Sequence, residues 1–322
     1  MNKTLNSIRQ GVNKNPIIIA SLGLFVIMLL FVPRFATLGN FISLSGQISY
    51  LGIATVGLAF VLVGGGIDLS LGSVISITGV VTALMIVAGL PILVAVLIAL
   101  LLGAAIGLLN GFFIAVLGVN AFMMTLITQM LFEGIALIVT EAQSITGLPA
   151  VFVEMWYQTI LYIPVPVLIM LFFFIIGHIV LTKSVFGRRL FVTGANKKAA
   201  KLVGVKADTV QMTAFIFSGL MGAIAGVILT SRLGVGSPAA GSNIILDIVS
   251  AAVIGGNSLF GGKGSIIGAA FGVLLLGLIS NGLSLLGVEW AHTMIVKGAV
   301  ILLAVIIDVV NSKVAQKQML TV

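Results

Sequence analysis

The sequence predicts an all-α fold, a polytopic transmembrane bundle of about ten spans. Three observations carry this. Of the 322 residues 60% are hydrophobic and 7% charged, with a mean hydropathy of +1.31, whereas soluble domains carry about 25% charged residues. Apolar runs approach or exceed the roughly 20 residues that cross a hydrocarbon core as helix. The runs are continuous and not alternating, and lipid leaves the backbone only helices or closed barrels. Helices follow.

The apolar segments fall at about 16–33, 42–63, 70–89, 91–117, 121–140, 163–182, 210–230, 244–259, 265–286 and 290–310. The basic amino terminus, MNKTLNSIRQGVNKNP, precedes a run too long for a signal peptide, with no small-x-small cleavage site after it, so the run reads as a retained first span. With that terminus inside, thirteen of the sixteen Lys and Arg residues fall on the cytoplasmic side, seven of them at 183–206. Only Arg34 and Arg232 fall outside, and the carboxyl terminus is cytoplasmic as well. In the outer loop 141–162, Trp156, Tyr157 and Tyr162 are expected at headgroup depth as aromatic anchors.

Composition also excludes chemistry. There is no cysteine, hence no disulfide or thiolate site, and His178 and His292 are too far apart in sequence to make a metal site alone. The net charge of +8 is explained by topology, without nucleic acid.

Four motifs interrupt the apolar pattern. GGGIDLSLGS at 64–73 joins the second and third segments. Its glycines free the backbone from helical geometry, and Asp68 or Ser70 either caps the next helix or lies beside a permeation path. GGNSLFGGKGS at 255–265 invites a phosphate-loop reading, but Asn257 stands where the first Gly is required and Gly264 where Ser or Thr is required. The chain therefore has no credible ATP site. GAAIG at 103–107 and GAAFG at 268–272 echo one another five segments apart. The echo reads as an inverted repeat or as small-residue helix packing. The polar neutral residues within apolar surroundings, Asn110, Asn120, Gln129, Asn257, Asn281 and Ser284, suit hydroxylated solutes or interhelical hydrogen bonds. The candidate pathway residues are thus Asp68, Ser70, Asn110, Gln129, Asn257 and Asn281.

The fourth motif is the basic stretch KSVFGRRLFVTGANKKAAKLVGVK at 183–206. Within it Asn196 to Gly204 reads as a short helix, with Asn196 as N-cap, alanines inside and Gly204 at the C-terminal end. A basic loop with its own helix offers a handle to a cytoplasmic partner; plain topology-setting charge would not need Ala-Ala and a spaced Gly.

Three stretches, GGGIDLSLGSVISITG, GRRLFVTGANKKAAKLVGVK and AAVIGGNSLFGGKGSIIGAAFGVLLLG with its continuation to MIVKGAVILLAVIID, resemble the permeases of ATP-binding-cassette sugar importers of the ribose, xylose and galactose type. The resemblance covers nearly the whole chain. It implies a single transmembrane permease domain in the bacterial cytoplasmic membrane, with a cytoplasmic coupling loop at about 183–209. It further implies import of a monosaccharide, a ribose-like pentose or hexose, by a subunit that is not itself an enzyme. The implied partners are a cytoplasmic ATPase that holds ATP and Mg, an extracytoplasmic sugar-binding protein, and a second permease, identical or paired. No cofactor is implied in this chain. By the same likeness Asn196, Lys198, Ala199, Ala200 and Gly204 form the ATPase-coupling helix, although the family commonly has an acidic residue where Lys198 stands. Competing readings are a nucleoside or autoinducer importer permease of the same architecture, and an ion-coupled carrier acting alone.

Overall fold

A computed structural model describes residues 16–161, 163–242, 244–289, 291–300 and 302. The expected anchor Tyr162, the segment 1–15, the tail from 311 and about half of the tenth apolar segment lie outside the described residues.

The described chain is helical almost throughout. In order it forms α1 (Pro16–Phe31), α2 (Leu38–Val63), α3 (Leu71–Val87), α4 (Ile92–Gly111) with a π-helical extension (Phe112–Val116), α5 (Ala121–Val139) and α6 (Ala150–Glu154). A two-stranded hairpin follows, β1 (Thr159–Ile160) and β2 (Ile163–Pro164), paired antiparallel. Then come α7 (Val165–Lys183), α8 (Val185–Ala195), α9 (Lys197–Leu202), α10 (Ala207–Leu233), α11 (Ile245–Ile254), α12 (Ile266–Leu285) and a helical stretch at 291–300.

Six helices have the length and apolarity to cross a membrane: α2, α4 with its extension, α5, α7, α10 and α12. The segments expected at 16–33, 70–89 and 244–259 form shorter apolar helices. At 10 residues, α11 reaches about 15 Å, half of a hydrocarbon core of about 30 Å. It stops because Gly255 and Gly256, the latter at φ +87, end the helix. Some helix starts have a side-chain cap. Asn120 caps α5, its side chain accepting from the Met123 N–H at 3.3 Å, and Ser184 caps α8 by accepting from the Gly187 N–H at 3.0 Å.

The chain divides into two compact units, with the divisions falling inside α2 and α12. The unit of 1–44 and 274–322 contains an aromatic trio, Phe25, Phe35 and Phe41, with ring centroids 5.6 to 6.3 Å apart. In it the side-chain amides of Asn40 and Asn281 bond each other, at 2.7 and 3.1 Å. Asn281 is thereby spent on helix pairing.

The unit of 45–273 is built around α10, whose buried face meets α3 and α4. Small residues bring the backbones together: a Cβ on Gly103 or Gly107 of α4 would overlap the Gly219 or Phe215 carbonyl of α10. The echoed string does the same work, since Gly268 and Gly272 of α12 press on the carbonyls of Gly255 and Ala251. Packing thus accounts for both strings.

At the far end of α10, Arg232 donates to the Tyr50 hydroxyl at 2.9 Å and lies 5.4 Å from the Trp156 ring centroid. Trp156 is 5% exposed and packed on Gly46. The sequence expects it among lipid headgroups; the structure buries it over a guanidinium, a cation–π arrangement. Tyr157 is exposed.

Between α10 and α11 the chain does not turn straight back. Gly236 pairs with Ile145 and lies on Ala83, and five residues later Gly241 lies on Gly72, with its N–H donating to Ser76 Oγ at 2.9 Å. This stretch therefore runs back along α3 from its last turns to its first, an irregular and part-buried backbone.

Candidate functional site

The basic helix forms as its residues require. The Asn196 side-chain oxygen accepts from the Ala199 N–H at 3.0 Å, and Gly204 at φ +80 ends the element, with the Val205 N–H bonded to the Ala200 carbonyl at 3.0 Å. Lys198, Ala199 and Gly204 are exposed, whereas Ala200 is 0% exposed. Ala200 thus packs against its own chain and offers no surface to a partner.

Lys197 and Lys201 lie one turn apart on α9 and both reach Asp208, in the first turn of α10. Lys197 does more. Its ammonium lies 3.0 Å from the Asp208 carboxylate and donates to the Gln211 side-chain oxygen at 2.8 Å and to the Ala115 carbonyl at 3.0 Å. Ala115 belongs to the π-helical end of α4, where last-turn carbonyls have no helical partner. One ammonium therefore ties α9 to α10 and α4.

Immediately beneath α9 three motifs meet. Gly194, two residues before the cap, lies with its α-carbon on the Val63 carbonyl, and Gly65 and Gly261 both press on Gly194. Gly262 packs on Ala195, and its N–H donates to the same Val63 carbonyl at 3.0 Å. Gly65, Gly261 and Gly262 have φ of +78, +84 and +70, a region that glycine alone enters freely. The loops at 64–70 and 255–265 and the base of α9 thus share one backbone-to-backbone junction, in which a methyl group on Gly194, Gly261 or Gly262 would overlap its neighbours and one on Gly65 would be tight.

From the junction a buried polar chain runs inward. Asp68 accepts from the Ser70 N–H at 3.1 Å, from the Ser70 hydroxyl, and from the Ser218 hydroxyl of α10 at 2.7 Å. Asn110 of α4 donates to Ser70 Oγ at 2.8 Å, and Thr128 of α5 donates to Asn110 Oδ1 at 2.6 Å. None of these Asp68 partners is a cation. Burial pushes the Asp68 carboxyl up, while the bonds from Ser70 and Ser218 pull it down. Asp68 thus braces Ser70, the residue before α3, against α10, and through Ser70 and Asn110 the chain of bonds reaches α4 and α5.

Gln129 lies beside this chain and is only half-buried. Its oxygen accepts from the Ser73 N–H at 2.7 Å and its nitrogen donates to Glu133 at 3.2 Å, while Ser242 of the re-entering stretch donates to the other Glu133 oxygen at 2.7 Å. The remaining pathway candidates lie elsewhere. Asn257 latches its own loop, donating to the Ala252 carbonyl at 2.8 Å and accepting from the Ser265 N–H at 3.0 Å. Asn281 is paired with Asn40. Sequence reasoning passed over Ser218, Thr128, Gln211 and Gly194, since a lone Ser, Thr or Gly in an apolar run carries no signal of its partner.

Fold and site together define a multi-pass helical membrane protein whose basic helix is locked to the ends of its spans. The model of the family described as "Branched-chain amino acid transport system / permease component" matches residues 40–305, and the chain belongs to that family of transport permeases. The ribose import permease protein of Bacillus subtilis (strain 168) is 39% identical over 292 residues, 89% of this chain and 91% of that protein. That of Escherichia coli (strain K12) is 38% identical over 295 residues, 90% of this chain and 92% of the other. The D-allose transport system permease protein of the same strain is 35% identical over 280 residues, 87% and 86% of the two chains. No solved structure matches the chain.

Proposed function

We propose that this chain is the pore-forming permease subunit of an ATP-driven, binding-protein-dependent importer of a monosaccharide, a ribose-like pentose or hexose. The observation that carries the reading is the junction. A helix can act as a coupling element only if it is fixed to the spans it must move, and α9 is fixed to α2, α8, α10 and the loop before α12. The names of the relatives, permeases for ribose and for allose, support a sugar as the solute.

In this reading ATP and Mg reside in a cytoplasmic ATPase, an extracytoplasmic binding protein selects the sugar, and a second permease copy completes the pore. Closure of the ATPase moves α9. Lys197 carries the movement to α10 through Asp208 and Gln211, and the glycine junction carries it to the loop that holds Asp68. Of the candidate pathway residues, Gln129 is best placed to meet a solute: half-buried amide, carboxylate and hydroxyl groups of Gln129, Glu133 and Ser242 are the donors and acceptors a polyol needs. Asp68, Ser70 and Asn110, enclosed and bonded to one another, hold the frame.

The chain then spans a bacterial cytoplasmic membrane as one permease domain, with both termini and the 183–209 loop inside. Four stretches of expected cytoplasmic location, at 64–69, 118–120, 183–209 and 260–264, lie at or beside the junction, which supports this orientation. A ten-span inverted repeat is supported by the order of lengths: α2 and α10 (26 and 27 residues) are each followed by a shorter apolar helix and then by a 20-residue helix. The test is reconstitution in liposomes with the ATPase and the binding protein. Ribose uptake should require ATP and both partners. Uptake by this chain alone under a proton or sodium gradient would overturn the reading.

A further inference from the structure

The loop at 255–265 has a feature that packing does not explain. Phe260 is 94% exposed, and its neighbour Lys263 is exposed as well. Yet the loop that presents this phenyl ring is held rigidly. The Ser258 N–H bonds the Lys263 carbonyl at 3.1 Å, the Gly261 N–H bonds the Ser258 carbonyl at 3.2 Å, and the Phe260 N–H bonds Ser258 Oγ at 3.2 Å. Gly261 and Gly262 then fasten it to Gly194 and Ala195, directly before the cap of α9.

The α9 region shows the same combination. Leu202 is 88% and Val203 73% exposed, among the exposed cations Lys198, Lys201 and Lys206. Apolar side chains held in water on a rigid frame and rimmed by charge are the composition of an interface anchor with a polar rim. We propose that Phe260 is a second anchor for the cytoplasmic ATPase. It would enter an apolar pocket on the ATPase rimmed by carboxylates, beside the groove that takes α9. The assignment rests on the importer reading. It gives the ATPase a grip on the connection from α11 to α12 as well as on that from α8 to α10.

A basic loop with an aromatic tip could also rest on anionic lipid. A lipid anchor needs no fixed geometry, however, and this loop is fixed by backbone bonds and by two glycines locked onto the base of α9. The geometry favours a shaped protein pocket.

The test places a photoreactive benzophenone amino acid at position 202 or 260 of the full-length permease in bacterial membranes that contain the complete importer. Adducts are identified by mass spectrometry. Both positions should capture the ATPase. Capture from 202 with only lipid adducts, or none, from 260 overturns this inference and leaves the importer reading standing. Failure at both positions, with no ATPase retained by the purified permease, overturns both. In parallel, Phe260→Asp should lower the ATPase retained on the permease about tenfold, the equivalent of about 1.4 kcal/mol. Undiminished retention in a correctly inserted variant counts against the anchor.

Discussion

The α-carbon of Gly194 lies against the carbonyl oxygen of Val63, with no room for a side chain between them. The contact is backbone on backbone, so no rotamer change relieves an added methyl group. Gly194→Ala should force apart the end of α2 and the base of α9 at a cost of about 1–3 kcal/mol, the range for overpacking. Gly204→Ala is the comparison: nothing lies near that position, and the cost is that of its left-handed backbone, about 1–2 kcal/mol. Thermal unfolding of the detergent-solubilised permease reads both. The decisive difference is in ATPase-dependent uptake, which Gly194→Ala should lose and Gly204→Ala largely keep.

Lys197 and Lys201 should differ although both pair with Asp208. From the sequence, either is an exposed cation on a basic loop, where an ion pair contributes only about 0–1 kcal/mol. Lys201 fits that description. Lys197 also holds the Gln211 side chain and the Ala115 carbonyl, and hydrogen bonds to a charged group contribute about 1.5–3 kcal/mol, less when part-exposed. Lys197→Met should therefore cost about 1–2 kcal/mol and uncouple ATP hydrolysis from uptake, while Lys201→Met stays near wild type. Equal behaviour of the two variants in an uptake-per-ATP assay would show that Lys197 is only surface charge.

Much of this was legible from residue order. Apolar run lengths located α1 to α5, α7 and α10 to α12 but not α6 or α8, which lie in polar connections, and Asn196 and Gly204 bounded α9 because capping is local chemistry. Asp68 and Ser70 stood out because polar residues after three glycines break an apolar pattern. What the sequence could not show is pairing across distance. Nothing near Asn281 points to Asn40, 241 positions away, and nothing near Asp68 points to Ser218. Trp156 misled for the same reason: its burial depends on Gly46 and Arg232, which come from other helices. The glycine junction was visible as three separate motifs but not as one place.

Asp68 offers a test of the buried polar chain by pH. Burial raises its folded-state pKa above the unfolded value, so the native state binds the proton more readily. Stability from this group is present at low pH and declines as pH rises from about 4 through the folded pKa. Asp68→Asn carries no titrating group and should flatten that decline, seen as melting temperatures measured from about pH 5 to pH 8. Asp68→Ala should be worse at every pH, by about 1–3 kcal/mol, because the Ser218 and Ser70 donors lose their acceptor. A wild type whose stability rises over this range, with Asp68→Asn following it, would contradict the assignment.

The adjacent alanines of α9 separate folding from docking. Ala200 is enclosed by its own chain, and Ala199, one residue earlier, faces outward. The sequence offers both as small contacts for a partner, but the structure gives them different roles. Ala200→Trp has no space and should lift α9 from its bed, breaking the Lys197–Asp208 pair. Amide exchange across 196–205 should then rise even in the isolated permease. Ala199→Trp should leave that exchange and the melting temperature unchanged, since exposed substitutions usually stay within about 0.5 kcal/mol. In the importer reading its bulk instead lies on the surface proposed to fit the ATPase, so ATPase retention and uptake should both fall. Retention of full coupling by Ala199→Trp, in membranes with matched permease levels, would mean that the exposed face of α9 is not the docking surface. A change in amide exchange with Ala199→Trp but not with Ala200→Trp would mean that the two alanines have been assigned to the wrong faces.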